Sequence, residues 1–334
     1  MTGAFTPGGF VGPLAAVTLN TAVDRTYYVE RFTVGAVHRP LRRFDEPGGK
    51  GNNVAKVARL LGCEVTASGF AAGANGRFIE EALAARGIRT EFVRTEGESR
   101  ICLNIVDQTN GVSTELNEAG PTVGAGDLER LAETVVRLAA RSRVVALCGS
   151  LPPGAPADFY ATLIRRIRAS GAQASVYLDT SGAALAAALA PDADPPDFVK
   201  PNAQELAAWA GLALAAGEDA LPEDVCLAAA RRLAERVPEV CVTLGRRGAV
   251  AIIAGRAYRA VPPAVRAVNT VGCGDAFVAG YAAAALAGAA PEERLRLAVA
   301  AATSNALSER AGDADPAQVE ALRGQVEVSP LPLG

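Results

Sequence analysis

The feature that most constrains the fold is a regular alternation of amphipathic helical patterns with short, valine-rich apolar runs. The segment "DLERLAETVVRLAARS" has apolar residues at helical spacing and is followed by "VVALCGS"; "ADFYATLIRRIRASG" is followed in the same way by "SVYLDTS". Short apolar runs of this kind are typical of strands that are buried on both faces. The alternation predicts an α/β chain whose central sheet is mainly parallel and covered by helices on both sides.

Two segments break this alternation. Residues 25–45 and 91–119 hold Tyr, Phe, Val and Thr between charged residues, which indicates half-exposed antiparallel strands, and Asn110-Gly111 is a hairpin signal. The segments either form a small sheet that lies over the α/β core as a lid, or they are ordinary edge hairpins. In the lid interpretation the α/β catalytic domain is discontinuous and consists of residues 11–24, 46–90 and 120–330.

Composition and charge argue against several classes of protein. The 334 residues carry a formal net charge of −3, which disfavours nucleic acid or a membrane surface as the main partner. Residues 1–10 lack the basic start of a signal peptide, so we expect a disordered leader. The six cysteines include no CxxC pair, and the single histidine, His38, cannot make a metal cluster. We expect a cytoplasmic protein with reduced thiols.

The stretch "NTVGCGDAF" (269–277) places a carboxylate directly after a glycine pair, at the start of a predicted helix. Gly272 and Gly274 let successive backbone N–H groups converge, and such groups at a helix N-terminus bind anions. Asp275 is expected in the first turn of that helix. It either caps the helix or accepts the proton of a hydroxyl that attacks a bound phosphate.

A second glycine-rich turn, "EPGGKGNNVAKVA" (46–58), also opens a predicted helix. Gly49 permits close backbone approach, Lys50 supplies a cation and Asn53 lies at the same end of the helix, which suits a polyol or a phosphate. The alternative is an ordinary turn with a solvated lysine. Asp24 follows the first predicted strand, at the edge where parallel sheets bind ligands, and is placed to accept hydrogen bonds from sugar hydroxyls.

The segment "FVKPNAQEL" combines an amide and a carboxylate three residues apart. Asn202 and Glu205 suit a Mg²⁺ ion that keeps most of its water shell. The same pair is also a capping box, and geometry alone favours the cap. The segment "VTLGRRGA" (242–249) predicts no more than a hairpin, and the absence of GxxxxGK[ST] excludes a P-loop protein.

Taken in order, these segments resemble the ribokinase-like (PfkB) carbohydrate kinases. The resemblance runs from about Leu14 to Gly312 and is carried by TLNTAVD, GGKGNNVA, SRICLNI, CGSLPPG, LDTSG, VKPNAQEL, VTLGRRGA, NTVGCGDAF and SNALSERAG. The chain is most similar to the phosphohexose kinases, and "STELNEAGP" and "SNALSERAG" favour the tagatose-6-phosphate kinase type over 1-phosphofructokinase. The resemblance implies a three-layer α/β sandwich with a mainly parallel sheet and a β-sheet lid. It also implies ATP-dependent phosphorylation of a ketohexose phosphate to the bisphosphate.

The resemblance implies roles for individual residues. Asp275 matches the catalytic base, and the anion hole is matched by Gly272, Cys273 and Gly274. The substrate-binding positions are Asp24, Gly49, Lys50, Asn53 and Arg100, the last of which matches the arginine that binds the phosphate already on the sugar. The nucleotide-site positions are Lys200, Asn202, Glu205, Thr243, Gly245, Gly248 and Asn305, among which Asn202 and Glu205 match the motif that positions Mg²⁺ through water.

The implied cofactors are ATP and Mg²⁺, with K⁺ as a further candidate. The implied partners are a small sugar phosphate and a second copy of the chain, which pairs through the lid. Two other functions stay open: a kinase of an unphosphorylated sugar or nucleoside, and a non-catalytic sugar-phosphate sensor. Arg100 and "ELNEAGP" favour the phosphosugar, and the intact "GCGD" and "KPNAQE" favour an enzyme. The residues do not decide which ketohexose phosphate is used.

Position 273 departs from the family pattern, in which Ala or Ser is commoner than Cys. If only the backbone N–H of Cys273 is used, its side chain should not affect the chemistry. A thiol behind an anion hole nevertheless predicts a lowered pKa and sensitivity to oxidation.

Overall fold

The computed structural model describes residues 12–212 and 221–332, and a ten-stranded sheet forms the centre of this part. In spatial order the strands are β14 (Glu327–Leu331), β13 (Arg256–Val261), β12 (Ala249–Ile253), β11 (Glu239–Thr243), β10 (Phe198–Val199), β9 (Ser175–Asp179), β8 (Val144–Cys148), β1 (Pro13–Thr18), β4 (Glu64–Ala72) and β5 (Arg89–Thr95). From β11 to β5 in this order the strands are parallel, whereas β12, β13 and β14 add antiparallel pairs at one edge. The predicted mainly parallel sheet is confirmed.

Helices cover both faces of this sheet. One layer contains α1 (Lys50–Leu60), α2 (Gly73–Ala84), α8 (Cys273–Leu286), α9 (Pro291–Leu307) and α10 (Pro316–Arg323). The other contains α3 (Ala125–Ala139), α4 (Phe159–Ala169), α5 (Gly182–Ala188), α6 (Ala203–Ala210) and α7 (Glu223–Ala234). Leu14 and Ala16 of β1 pack into the first core, whereas Ala15 and Val17 pack into the second. Successive side chains of a strand point to opposite faces, so a strand that is apolar throughout requires both layers.

A separate four-stranded sheet contains β3 (Arg42–Gly48), β2 (Ala22–Val29), β6 (Arg100–Asp107) and β7 (Val112–Asn117), in that spatial order. The β2–β3 and β6–β7 pairs are antiparallel, and the second turns at Asn110-Gly111 as expected. The expectation of antiparallel strands is wrong for β2 and β6, which are parallel. The chain runs through β4 and β5 of the main sheet between them, so no hairpin joins them.

The expected boundary of the small sheet needs a second correction. Residues 91–95 belong to β5, which pairs in parallel with β4 and extends the main sheet. Alternating apolar and charged residues occur at the edge of the main sheet as well as in a half-exposed small sheet, so the sequence pattern does not separate the two.

Some sequence-based expectations lie outside the described residues or concern the chain as a whole. The disordered leader expected at residues 1–10 is outside the described ranges. Within those ranges no helix is both long enough and apolar enough to cross a membrane. The six cysteines all lie inside them and carry free thiols. No disulfide therefore constrains the described part of the fold.

The fold brings two helix N-termini to the carboxyl ends of the central parallel strands. Helix α1 begins at Lys50, directly after β3, and packs against α8. Helix α8 begins at Cys273, and a Cβ added at Gly274 would lie 3.1 Å from Nζ of Lys200, just beyond the end of β10. In open parallel sheets this is the edge at which ligands bind.

Candidate active site

A cavity of about 350 Å³ lies between the small sheet, the start of α1 and the start of α8. It is lined by most of the residues expected to bind or act on a sugar: Asp24, Gly49, Lys50, Asn53, Arg100, Gly272, Gly274 and Asp275. The small sheet forms one wall and the two helix N-termini form the other. The cavity therefore combines sheet side chains on one side with backbone N–H groups and helix dipoles on the other.

Asp275 is the buried carboxylate at the helix wall of the cavity. It occupies the first turn of α8, but the N-cap position belongs to Gly272, and no side-chain cap hydrogen bond forms. The helix-cap alternative is therefore wrong. The carboxylate instead accepts a 2.8 Å hydrogen bond from Nδ2 of Asn53 and lies 4.0 Å from Nζ of Lys50. Burial raises the pKa of Asp275 to about 6, although Lys50 opposes the shift.

The backbone at the start of α8 presents free donors. Within the described part of the chain, the N–H groups of Gly274 and Asp275 have no hydrogen-bond acceptor, whereas the N–H of Cys273 points to the carbonyl of Thr270 at 3.4 Å. Gly272 has a φ of +83°, which favours glycine, and its Cβ position would lie 2.8 Å from the N of Gly312. Only glycine fits this turn, and the two free N–H groups belong to residues that line the cavity.

Asp179, which sequence reasoning did not single out, joins two of the predicted lysines. It ends β9 and is almost completely buried, with carboxylate oxygens 3.5 Å from Nζ of Lys50 and 3.4 Å from Nζ of Lys200. Burial opposes its ionisation, but Lys200 and Lys50 outweigh burial and hold the pKa of Asp179 below its usual value. Asp179 in turn raises the pKa of Lys50. The available signal was its position at a strand end, within "LDTSG".

Asp24 and Gly49 lie at the junction of the small sheet with α1. Gly49 has a φ of +97°, and a Cβ there would lie 2.6 Å from Cγ2 of Thr18. Asp24 is packed so closely against Gly48 that a Cβ at that glycine would overlap the carboxylate. Burial raises the pKa of Asp24 to about 6, with Lys56 opposing the shift. Asp24 therefore presents a desolvated hydrogen-bond acceptor to the cavity.

Arg100 begins β6 and lines the same cavity. Its guanidinium donates 3.3 Å hydrogen bonds to the carbonyls of Glu118 and Asn20, and its buried Nε has no acceptor. These long, backbone-directed bonds fix the guanidinium without pairing it to a carboxylate. Its charge remains available for an anion.

The inner face of the small sheet supplies further polar groups that sequence reasoning missed. Because alternate residues share one face, the cavity is also lined by Thr26, Cys102, Asn104, Glu115 and Asn117. Oδ1 of Asn104 is buried without a hydrogen-bond donor in the described structure. Strand alternation can identify such a face only when the strand pairing is known.

Asn202 and Glu205 form the capping box that geometry favoured. Oδ1 of Asn202 accepts from the N–H of Glu205, and Oε2 of Glu205 accepts from the N–H of Asn202, both at 2.8 Å. Nδ2 of Asn202 and Oε1 of Glu205 take no part in these two bonds. The cap is thus present, and it fixes both groups at the start of α6.

The other nucleotide-site positions lie outside the cavity lining. Thr243 forms a parallel bridge with Asn202. A Cβ at Gly245 would face open space, whereas one at Gly248 would lie 2.1 Å from the carbonyl of Ala260. Asn305 is fully buried, and its side-chain amide bonds to backbone on both sides. Gly248 and Asn305 therefore contact the backbone of neighbouring segments, whereas the space beside Gly245 is open.

The expectation of a lowered pKa for the Cys273 thiol is wrong. Burial raises the pKa of this thiol, and the 3.4 Å contact with Nδ2 of Asn305 only partly offsets the effect. The side chain points toward Asn305, so the free N–H groups of the turn do not stabilise a thiolate.

Comparison with known protein families decides the class of the protein. Residues 17–318 match the pfkB family of carbohydrate kinases. The chain belongs to this family. It is therefore an ATP-dependent carbohydrate kinase, as the motifs indicate.

Two named relatives are similar to this kinase over most of their length. It is 41% identical to 1-phosphofructokinase of Rhodobacter capsulatus over 289 residues, or 86% of this chain and 88% of the relative. It is 31% identical to tagatose-6-phosphate kinase of Staphylococcus epidermidis over 315 residues, or 94% of this chain and 99% of the relative. Both belong to the phosphohexose kinase subgroup that the motifs favour.

Solved structures show the same architecture. Phosphofructokinase-2 from Escherichia coli in complex with fructose-6-phosphate superposes with a TM-score of 0.85 at 25% identity, over 94% of this chain and 99% of that chain. Its complex with potassium gives 0.86 at 26% identity and its tetrameric inhibited form 0.85 at 26%, each over the same share of both chains. The ribokinase-like fold with a large mostly parallel sheet and a small separate sheet is confirmed.

The residues present fit a nucleotide phosphate and a water-held Mg²⁺. The free N–H groups of Gly274 and Asp275 are a donor pair of the kind that suits a phosphoryl group. Within residues 12–212 and 221–332, no group of three or more His, Cys, Asp or Glu side chains can hold a metal. Glu205 with Asn202 suits an ion that retains water and phosphate as its main ligands.

Proposed function

We propose that this kinase phosphorylates a ketohexose phosphate to the bisphosphate, with fructose 1-phosphate as the first candidate and tagatose 6-phosphate as the second. One observation carries the proposal: Asp275 and Arg100 line the same cavity, a buried carboxylate for a reacting hydroxyl and an unpaired guanidinium for a phosphate. The identity of 41% to a 1-phosphofructokinase, against 31% to a tagatose-6-phosphate kinase, supports fructose 1-phosphate over the type that the motifs favour.

Asp275 is the proposed base. The hydrogen bond from Asn53 fixes its carboxylate, and the raised pKa makes it a better proton acceptor while leaving it ionised at neutral pH. Asp24 and Asn53 bind sugar hydroxyls, and Arg100 binds the phosphate already present. Together these contacts place one hydroxyl next to Asp275.

The N–H groups of Gly274 and Asp275 stabilise the charge of the transferring phosphoryl group in this proposal, and Lys50 adds a cation on the same side. When bound, Mg²⁺ neutralises charge on the nucleotide phosphates, and Asn202 and Glu205 would hold it through water. The small sheet excludes bulk water, which competes with the sugar as acceptor.

ADP release with ATP and Mg²⁺ tests the proposed substrate class. The panel contains fructose 1-phosphate, tagatose 6-phosphate, fructose 6-phosphate, fructose, ribose and adenosine. We expect turnover on the phosphosugars alone, with the highest kcat/KM for fructose 1-phosphate. Turnover confined to a free sugar or to adenosine would reject the phosphosugar assignment. No turnover by a folded protein that binds ATP would support the sensor alternative.

We also propose that two copies pair through the small sheet. Ile105, Val112 and Leu116 lie on the face opposite to Asn104 and Glu115, and Val112 and Leu116 are 56% and 58% exposed. An exposed apolar face beside the edge strand β7 suits a self-complementary contact. Analytical ultracentrifugation should show a dimer that Leu116→Asp dissociates, whereas a monomeric wild type would reject the pairing.

K⁺ is a proposed activator, supported by the potassium complex of the 26%-identical phosphofructokinase-2. Replacement of KCl by NaCl at constant ionic strength should lower kcat. Equal rates in the two salts would remove K⁺ from the cofactors.

A further inference from the structure

Lys56 is a buried cation that the proposed chemistry does not use. Only three lysines occur among the 33 basic residues of the chain, and all three lie near the cavity. Lys50 and Lys200 contact Asp179, whereas Lys56 lies one turn beyond Asn53 on α1 and is 4% exposed. Arginine serves as the cation elsewhere, so a compact ammonium at this position requires a specific explanation.

The hydrogen-bond partner of Lys56 is a backbone carbonyl. Its Nζ lies 2.8 Å from the carbonyl of Ala311, and no carboxylate of the described residues is recorded within 4.0 Å of it. Asp24 and Glu46 act on it at longer range. A buried ammonium without a paired carboxylate is unfavourable for folding, so stability alone does not account for it.

The carbonyl belongs to a turn, residues 308–313, that is packed between α1 and the start of α8. On one side, a Cβ at Gly312 would lie 2.7 Å from Cε of Lys56 and 2.5 Å from Oδ1 of Asn53. On the other side, the Cβ position of Gly272 lies 2.8 Å from the N of Gly312. The turn therefore touches both the sugar-side helix and the glycine that begins α8.

Asn305 completes the connection to the start of α8. Its Oδ1 accepts from the N–H of Gly312 at 2.9 Å, and its Nδ2 donates to the carbonyl of Val271 at 2.9 Å. A continuous path of contacts thus runs from Lys56 through the turn and Asn305 to the loop that ends at Gly272.

We propose that Lys56 is a positioning residue: it holds the turn 308–313 on α1, and through Asn305 and Gly272 it fixes the N–H groups of Gly274 and Asp275 for phosphoryl transfer. This inference rests on the proposed role of the α8 N-terminus. It does not require Lys56 to touch either substrate. Its loss should therefore reduce kcat more than the affinity for the sugar phosphate.

Steady-state kinetics of Lys56→Met with ATP, Mg²⁺ and the phosphosugar that the wild type uses test the proposal. We expect kcat to fall at least about tenfold while KM for the sugar phosphate changes less than about threefold. Lys56→Arg keeps a charged donor but is bulkier at a buried position, so it should recover only part of the loss. The matched control is Arg59→Met, which removes an exposed cation from the same helix and should leave kcat unchanged. An unchanged kcat, or a loss confined to KM, would overturn the proposal.

Two further measurements separate positioning from a general loss of stability. Hydrogen exchange of the free protein should increase in 270–275 and 308–313 for Lys56→Met and not for Arg59→Met. Equal exchange in the two variants would overturn the proposal, even if the wild type proved inactive on every sugar tested.

In a double-mutant cycle, Lys56→Met and Asn305→Ala should have non-additive effects on kcat. Full additivity would contradict a shared path. If Lys56→Met does not fold, Lys56→Gln, which keeps a hydrogen-bond donor, replaces it. We then expect a smaller loss of kcat, and an unchanged kcat would contradict the proposal.

Discussion

Nδ2 of Asn53 lies 2.8 Å from a carboxylate oxygen of Asp275, so one hydrogen bond joins the first turns of α1 and α8. Both helices direct their N-termini toward the same cavity, where their dipoles favour negative charge. The proposed sugar site and the proposed base are therefore fixed to each other. Loss of this hydrogen bond should affect both binding and catalysis.

Asp275→Asn should lower kcat by about 10²- to 10⁴-fold, because the amide cannot accept the hydroxyl proton. KM for the sugar phosphate should stay within about threefold, since asparagine keeps the size of the side chain and can still accept from Asn53. Steady-state kinetics give both values. A loss of kcat below tenfold would reject Asp275 as the base.

The raised pKa of Asp275 also predicts how its contribution to stability depends on pH. The folded state binds the proton more tightly than the unfolded state, because the pKa is about 6 when folded against 3.8 when free. Stability from this group is therefore present below pH 3.8 and is lost as the pH rises to about 6. Asp275→Asn removes the penalty and should be more stable than the wild type above pH 6, by up to about 3 kcal/mol.

Urea denaturation of the two proteins at pH values from 4 to 8 measures this difference. Asp192→Asn, at an exposed carboxylate outside the cavity, is the control substitution. An advantage of Asp275→Asn that is the same at pH 4 and pH 8 would contradict the assignment.

Arg100→Ala should raise KM for the phosphosugar about 10- to 100-fold, because a charge-assisted contact of about 1.5–3 kcal/mol is lost. The expected change in kcat is small. Arg94→Ala is a matched control, since Arg94 pairs with Glu80 at the surface and does not line the cavity. An unchanged KM would mean that the substrate carries no phosphate at this position.

Glu205→Gln separates the capping role of this residue from the proposed role in Mg²⁺ binding. Glutamine can still accept from the N–H of Asn202, so the cap and the stability should be retained. Loss of the charge should raise the Mg²⁺ concentration needed for half-maximal activity about 10- to 100-fold. If titration with Mg²⁺ gives the wild-type curve, Glu205 is a cap and nothing more.

Cys273→Ala should leave both kcat and the rate of inactivation by peroxide unchanged. The raised pKa keeps the thiol protonated, and the thiol is a poor nucleophile in that form. Activity after timed exposure to peroxide checks this expectation. Protection by the substitution would show that the thiol is reactive despite its burial.

The helix starts were predictable from the sequence because their chemistry is local. Glycines before Asp275 and before Lys50 indicate turns that bring backbone N–H groups together at a helix start. This can be predicted without knowing the fold. The cap formed by Asn202 and Glu205 was predictable for the same reason.

Pairings between distant segments were not predictable in this way. Asp179 meets Lys50 and Lys200 only because β9 and β10 are neighbours that end beside α1, and Lys56 has the spacing of an ordinary core residue of α1. The parallel pairing of β2 with β6 likewise depends on strands that are far apart in the chain. The raised pKa of Cys273 depends on burial, which no short motif encodes.

The placement of all three lysines beside the cavity has a practical consequence for labelling chemistry. Lys56 and Lys200 are 4% and 3% exposed, and Asp179 keeps the amine of Lys50 protonated, so none of them is a good target for acylation in the folded enzyme. An amine-directed reagent at neutral pH should modify these three side chains only slowly in the folded enzyme. Unfolding exposes the three side chains together. Mass spectrometry after labelling would therefore give the fraction of molecules that have unfolded.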